Sequence, residues 1–400
     1  MRLDSGIHLT YCTNIHPSNS WIDAFNSLKE YIPQVHQAVA PRQPFGIGLR
    51  LSALAAQQLL AHHHMCAFQQ WLEQENAYVF TINGFPYGSF HGSPVKDEVH
   101  QPDWTTCKRV EYTTNLAKIL SLLLPQGMTG GISTSPLSYK RWFATPAKLQ
   151  EVTQQAADNI AHVALFLYEI HQETGKFIHL DIEPEPDGIL EDLRSTVETF
   201  QQFIFPAIEK LATSKHLVPE KLFNHVQLCY DVCHFAVGYQ MHAQALAQLR
   251  AAGIGIGKFQ LSAALRVIFD SSIRSQQLGT LATFDEPIYL HQVVARMPNG
   301  TLLPFADLPQ ALHSLKAQQA TEWRIHFHVP IFLHQYGFLQ STQPDVLEVL
   351  ALQQKHSYTQ HLEVETYTWS VLPPSMQLPL SDFIAKELLW VIENIPKPSL

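Results

Sequence analysis

Short strand-like runs alternate with longer helix-like stretches along the whole of this 400-residue chain, and that alternation is the βα rhythm of a parallel sheet. Tight hairpins cannot join parallel neighbours, and the intervening stretches have the length of crossover connections. His8–Thr13 precedes an amphipathic segment that opens at Ser20 and runs to about Val39. Phe45–Leu51 precedes a helical stretch through Leu59 and Trp71, and Tyr78–Asn83 leads into a Gly/Pro-rich loop over 84–94. Gly130–Ser135, Phe177–Ile182, Val226–Asp231 and Ile254–Leu261 continue the strand series. Helical patterns are expected over 113–124, 146–174, 189–212 and 240–252, with 263–268 in the crossover position after the last of these strands.

Residues 288–305 break the rhythm, because Ile288–Arg296, a turn containing Asn299-Gly300, and Thr301–Phe305 read as a β-hairpin. Two further strand candidates follow, Arg324–Val329 and Leu362–Thr368, so the candidates exceed eight by one. Leu362–Thr368 is expected to close the ring. No linker rich in Gly, Ser and charge divides the chain. The expectation is one (β/α)8 barrel of the TIM type over residues 1–400, with an insertion at about 285–306 and one extra strand candidate.

Hydrophobic residues at 46% and charged residues at 15% suit a large packed core. A net charge of −9 without any Lys/Arg run disfavours nucleic acid as a partner. The five cysteines are sparse and lack the spacing of a secreted disulfide framework, so reduced thiols are expected. No signal-peptide pattern and no apolar run of ~18 residues is present, which makes a cytoplasmic location the expectation and a transmembrane segment not.

Metal-type ligands end the strand candidates. Strand side chains alternate, so Asp181 and Glu183 point one way, as do Lys258 and Gln260, His326 and His328, and Glu363 and Glu365. In a parallel barrel the carboxyl ends of the strands converge on one face. Several acids gathered there need a cation or mutual hydrogen bonds, since isolated buried charge is costly. The metal-ligand candidates are therefore Glu183, Asp231, His234, Gln260 and Glu365, with Glu183 and Glu365 as the catalytic pair. Asp231 and His234 form Asp-Val-Cys-His at a strand end; a helix cap is the structural alternative for Asp231. Asp181 and Glu363 lie a layer deeper, where packing or support of the ligands is the expectation.

Asn14, His16, Arg50, His326 and His328 are the substrate-binding candidates, and the aromatic loop 84–94 is a candidate lid. His62-His63-His64 lies within a helical pattern that splays the rings apart, which favours a solvated surface. Cys229 and Cys233 are not spaced as CxxC and read as buried thiols.

Taken together, Leu9–Pro17, Phe45–Ser52, Asn83–Gly88, Asp181–Asp187, Asp231–His234, His326–Pro330 and Glu363–Trp369 resemble the EboE-type metabolite-traffic proteins over nearly the whole chain. The resemblance implies the xylose isomerase-like TIM-barrel superfamily of sugar isomerases, epimerases and endonuclease IV-type phosphodiesterases. Its usual ligand pattern carries over to Glu183, Asp231 with His234, Gln260 and Glu365; Gln260 stands where a histidine is usual, and the strand with His326 and His328 has no simple counterpart. It also implies a secondary-metabolite precursor export pathway, with other proteins of that pathway as partners.

The first functional expectation is a metal-dependent isomerase or epimerase acting on a small oxygen-rich metabolite, with Mn²⁺, Zn²⁺ or Mg²⁺ as the divalent ion. Metal-assisted phosphoester hydrolysis is the second. Metabolite binding without turnover is the third, and Gln260 in place of histidine fits it.

Overall fold

The computed structural model describes residues 1–3, 6–92 and 94–396. Seven parallel strands arise in chain order: β1 (His8–Tyr11), β2 (Phe45–Arg50), β3 (Ala77–Asn83), β4 (Gly130–Thr134), β5 (Ile178–Ile182), β6 (Val226–Asp231) and β7 (Ile256–Leu261). Six antiparallel strands follow: β8 (Ala263–Ile268), β9 (Val293–Arg296), β10 (Leu302–Phe305), β11 (Glu322–Val329), β12 (Gln335–Tyr336) and β13 (Leu339–Ser341). The last strand, β14 (His361–Val364), returns to the parallel sheet between β7 and β1. The parallel sheet thus runs β1-β14-β7-β6-β5-β4-β3-β2. Thr10 joins its two ends: the hydroxyl donates to the Gly46 carbonyl at 2.8 Å and accepts from the Gly48 amide at 2.9 Å.

The closing strand β14 overlaps the expected Leu362–Thr368, beginning at His361 and ending at Val364, and 324–329 lies within the other sheet. The hairpin at 288–305 forms with Gly300 at φ +84° in its turn, but as part of a wider sheet with strands from 263 to 341. Residues 263–268 are a strand rather than a crossover helix. The reason is period 2: Leu265 and Val267 are buried while Arg266 and Ile268 face outward.

Local signals set the helices that wrap the barrel. Ser20 and Asp23 form a reciprocal capping box at the start of Trp21–Val39. Thr145 caps Pro146–Thr174, which ends at Gly175 in the left-handed conformation. In that long helix Ala156, Ile160, Ala164 and Leu167 bury one face. The helical pattern expected from 189 begins at Leu193, because the Asp192 carboxylate takes the Ser195 amide at 2.8 Å and starts the helix there. It continues through a π-turn at Phe200–Ile204 into Phe205–Ser214. Among the described residues, no helix is long and apolar enough to cross a membrane.

Strand parity fills the barrel interior with polar layers. In the lower layer Lys258 lies 2.5 Å from Glu363 and 3.1 Å from Ser133, while His179 meets Asp181 at 2.6 Å. Glycine makes room for this layer: a methyl on Gly48 would overlap the Glu363 carboxylate, and one on Gly257 would overlap Asp181.

Candidate metal centre

One step above that layer, the carboxyl ends of the strands bring Glu183, Asp231 and Glu365 together, each offering an oxygen within 4.8 Å of the others. All three are buried. Glu183 follows β5 and precedes the Pro184-Glu185-Pro186 turn, Asp231 ends β6, and Glu365 follows β14.

Asp231 serves as a helix cap and keeps an oxygen for the site. Its Oδ1 takes the His234 amide at 3.1 Å and the Ser262 hydroxyl at 2.6 Å, starting the helix Val232–Val237. Its Oδ2 is buried without a hydrogen-bond partner, as is Glu183 Oε2. Glu365 Oε1 accepts from Asn14 at 2.6 Å and Asn83 at 3.2 Å, so the 3-10 turn after β1 and the end of β3 orient the acid that follows β14.

Desolvation, then the Glu365 and Asp231 carboxylates, holds the Glu183 carboxyl well above the usual range. Burial and Asp231 push Glu365 up to about 8. Crowded, buried acids with orphaned oxygens are what a divalent cation would neutralise. The donor set fits such an ion.

An imidazole cluster adjoins the acids. His234 lies three residues after its strand end and sets Nδ1 2.7 Å from the Pro184 carbonyl. His326 and His328 project from β11, whose pairing with β8 shifts register between Ile325 and His328. His326 Nε2 is 3.1 Å from His234 Nε2. Asp231, His234 and His328 form another group of ligand atoms within 4.8 Å, as do Glu185, His234 and His326, and Cys233, His326 and His328.

Gln260 is buried on β7 in register with Asp231 and Glu363, and its Oε1 lies 3.6 Å from the Cys229 sulfur. Its Nε2 has no partner. Two expected substrate-binding residues lie elsewhere. His16 bonds to the Tyr11 hydroxyl at 3.0 Å and stacks on Tyr31, outside the lining of the central cavity. Arg50 is turned to the carbonyls of Ser18, Pro86 and Gly88, and it too lies outside the lining of the central cavity.

A cavity of about 50 Å³ opens over this floor. Asn14, Glu183, His234, His326 and Glu365 line it below, and Phe85, Phe90, Tyr289 and Tyr367 line it on apolar sides. Phe90 packs 5.2 Å from Tyr289 and 5.1 Å from Tyr367, which brings the aromatic loop to the cavity. Sequence reasoning missed Glu185 and His100 in this wall. Glu185 lies in the Pro184-Glu185-Pro186 turn beyond β5 and His100 sits in a 3-10 turn, so strand periodicity marks neither. The two approach to 3.5 Å. Among the unassigned histidines, His62 and His63 are exposed, and Cys229 and Cys233 are buried free thiols, as expected.

No protein-family model matches the chain, and no curated protein matches it in sequence. Solved structures match it in fold. The IolI protein with a binding zinc atom is 12% identical at a TM-score of 0.51, covering 98% of this chain and 100% of its own. A xylose isomerase-like TIM barrel protein from Mycobacterium smegmatis, in complex with magnesium, is 11% identical at a TM-score of 0.53, with coverage of 99% and 98%. The eight parallel strands with their surrounding helices therefore have the fold of the xylose isomerase-like TIM barrels.

Proposed function

We propose that this chain is a divalent-metal-dependent enzyme of the isomerase or epimerase type, acting on a small oxygen-rich metabolite. The observation that carries the reading is the convergence of Glu183, Asp231 and Glu365, with unpartnered oxygens on the first two, beneath a cavity. Zinc in IolI and magnesium in the mycobacterial protein support a divalent ion in such a barrel. Glu183, Asp231, Glu365 and His234 would hold it, with Gln260 beside them; Mn²⁺, Zn²⁺ and Mg²⁺ are the candidates. When bound, the ion supplies Lewis-acid polarisation of a substrate oxygen.

The chain's own groups do the proton work. Glu183 and Glu365 rise from strands separated by β6 and β7, so they address a bound carbon centre from two sides. One removes the carbon-bound proton and the other returns one. Asn14 and Asn83 hold the Glu365 carboxylate in position, and Phe85, Phe90, Tyr289 and Tyr367 give the cavity apolar walls. The resemblance to EboE-type proteins supports placing the reaction in a secondary-metabolite precursor export pathway in the cytoplasm, alongside other proteins of that pathway.

Hydrolysis of a small phosphoester is a second reading, and the imidazoles His234, His326 and His328 beside the acids are the observation in its favour. Proton exchange distinguishes the two. The protein loaded with Mn²⁺, Zn²⁺ or Mg²⁺ is incubated in D₂O with a panel of ketoses, aldoses and sugar phosphates and followed by NMR. Deuterium at a carbon adjacent to a carbonyl, lost by about 10²–10⁴-fold in Glu183→Gln, is expected. Release of inorganic phosphate without deuterium uptake would favour the hydrolase, and neither signal would leave a binding protein.

A further inference from the structure

We infer that His100 is a ligand-binding residue of the cavity wall, which together with Glu185 takes a ligand hydroxyl lying away from the three-acid floor. The imidazole is fully buried at the end of the 3-10 turn Lys96–His100, and it lines the cavity. Neither of its ring nitrogens has a hydrogen-bond partner among the described residues. A buried polar atom left unpaired is costly, and an imidazole with two of them calls for a partner from outside the chain.

The groups around the ring do not supply one. Tyr139 and Phe85 pack on it with centroids 5.2 and 5.5 Å away, and Trp142 stands perpendicular to it at 6.3 Å. Their polar atoms are committed elsewhere: the Tyr139 hydroxyl donates to Asp187 at 3.4 Å and Trp142 Nε1 donates to Asp97 at 2.8 Å. Arg109 donates to the carbonyls of Pro102, Gly84 and Phe85 at 2.7–2.9 Å. Three rings thus hold the imidazole in place without using its nitrogens.

Glu185 supplies the other half of the subsite. Its Oε2 is likewise buried without a partner, 3.5 Å from His100 Nε2, and no hydrogen bond forms between them. Burial, then Arg109 and His234, lowers the His100 pKa to about 3, so the ring is neutral and offers one donor and one acceptor. A hydroxyl both donates and accepts. Set against this pair, it gives its proton to one partner and takes one from the other, whichever of the two carries it. A carbonyl oxygen only accepts and an alkyl group does neither, so each leaves part of the pair unsatisfied. Anionic groups are disfavoured, because Lys96, the one lysine or arginine in the described lining, is already paired with Asp307 at 2.8 Å.

The inference rests on the proposed function for seating the rest of the ligand on a metal at the floor. It narrows that ligand to one with a hydroxyl beyond the oxygens the metal takes, a sugar rather than a simple hydroxycarbonyl. The test compares D-xylulose, D-ribulose and D-fructose with their monodeoxy analogues by calorimetry on the full chain loaded with Mn²⁺, whose own binding is followed by electron paramagnetic resonance. At least one ketose is expected to bind about tenfold more tightly than one of its deoxy analogues. His100→Phe keeps the ring contacts and removes the nitrogens. It should bind that ketose about tenfold more weakly, level with the deoxy analogue, while Mn²⁺ binding is unchanged and the unfolding midpoint is at or above that of the wild type. His100→Gln should recover part of the affinity. A ketose preference that survives His100→Phe, or unaltered affinity with a lowered midpoint, would overturn the subsite. So would a Mn²⁺-loaded wild type that binds no ketose or does not separate ketoses from deoxy analogues, a comparison that needs no variant to fold. Absence of Mn²⁺ binding would defeat the metal-dependent reading alone if ketoses still bind with sensitivity to His100→Phe, and both if they do not.

Discussion

In the lower layer of the barrel interior, Lys258 reaches Glu363 and His179 reaches Asp181, so each acid has a cationic or imidazole partner from the chain itself. One step higher, Glu183, Asp231 and Glu365 meet with no lysine or arginine ion pair among the described residues. Their imidazole neighbours stay at 3.7–3.9 Å: His234 from Glu183 and Asp231, and His328 from Glu365. Burial is equal in the two layers, so depth is not the difference. The lower acids meet partners within the chain, whereas under the proposed function the upper ones take a cation from outside.

Removing a charge should therefore act in opposite directions in the two layers. Lys258→Met would strand the buried Glu363 carboxylate and is expected to cost about 3–5 kcal/mol of unfolding free energy, measured by urea denaturation in the presence of chelator. An unchanged midpoint would erase the distinction.

Glu387 gives an intermediate reference, a buried acid held, among the described residues, by two neutral donors: the Thr366 hydroxyl at 2.8 Å and the Ile331 amide at 3.2 Å. Burial pushes its carboxyl from an ordinary 4.5 up to about 8. A folded-state value above the unfolded one means that the unfolded chain loses this proton first, so stability falls as pH rises from about 4.5 to about 8. Glu387→Gln should remove that slope and gain about 2 kcal/mol at pH 8, read from denaturation curves at pH 5 and pH 8. Equal differences at the two pH values would count against the shift.

Glu183→Gln should have the smallest effect and the most informative sign. In chelator it removes a desolvated, repelled carboxyl and is expected to stabilise by about 1 kcal/mol. With saturating divalent ion the order should reverse, because ligand-linked stabilisation of the wild type is lost. Destabilisation under both conditions would place Glu183 among the structural acids.

Much of this division could be read from residue order. Period-2 parity paired Asp181 with Glu183 and Glu363 with Glu365, and in each pair the second residue belongs to the upper layer. Parity also kept His326 and His328 together, and the structure sets both beside His234. Long side chains escape such rules. Arg50 ends its strand where a ligand contact was expected, yet its guanidinium reaches back to loop carbonyls. His100 enters the wall from an irregular segment, and Ala263–Ile268 is too short to separate strand from helix until its alternating burial is seen.

Under the proposed function the upper layer takes a divalent ion and the lower layer none. Anomalous diffraction from crystals of the full chain soaked in Mn²⁺ distinguishes the two layers. A peak is expected ~2.0–2.5 Å from oxygens of Glu183, Asp231 and Glu365, the range for zinc or harder cations, and none beside Lys258 and Glu363. Ordered water among the three acids, with no peak there at saturating Mn²⁺, would contradict it.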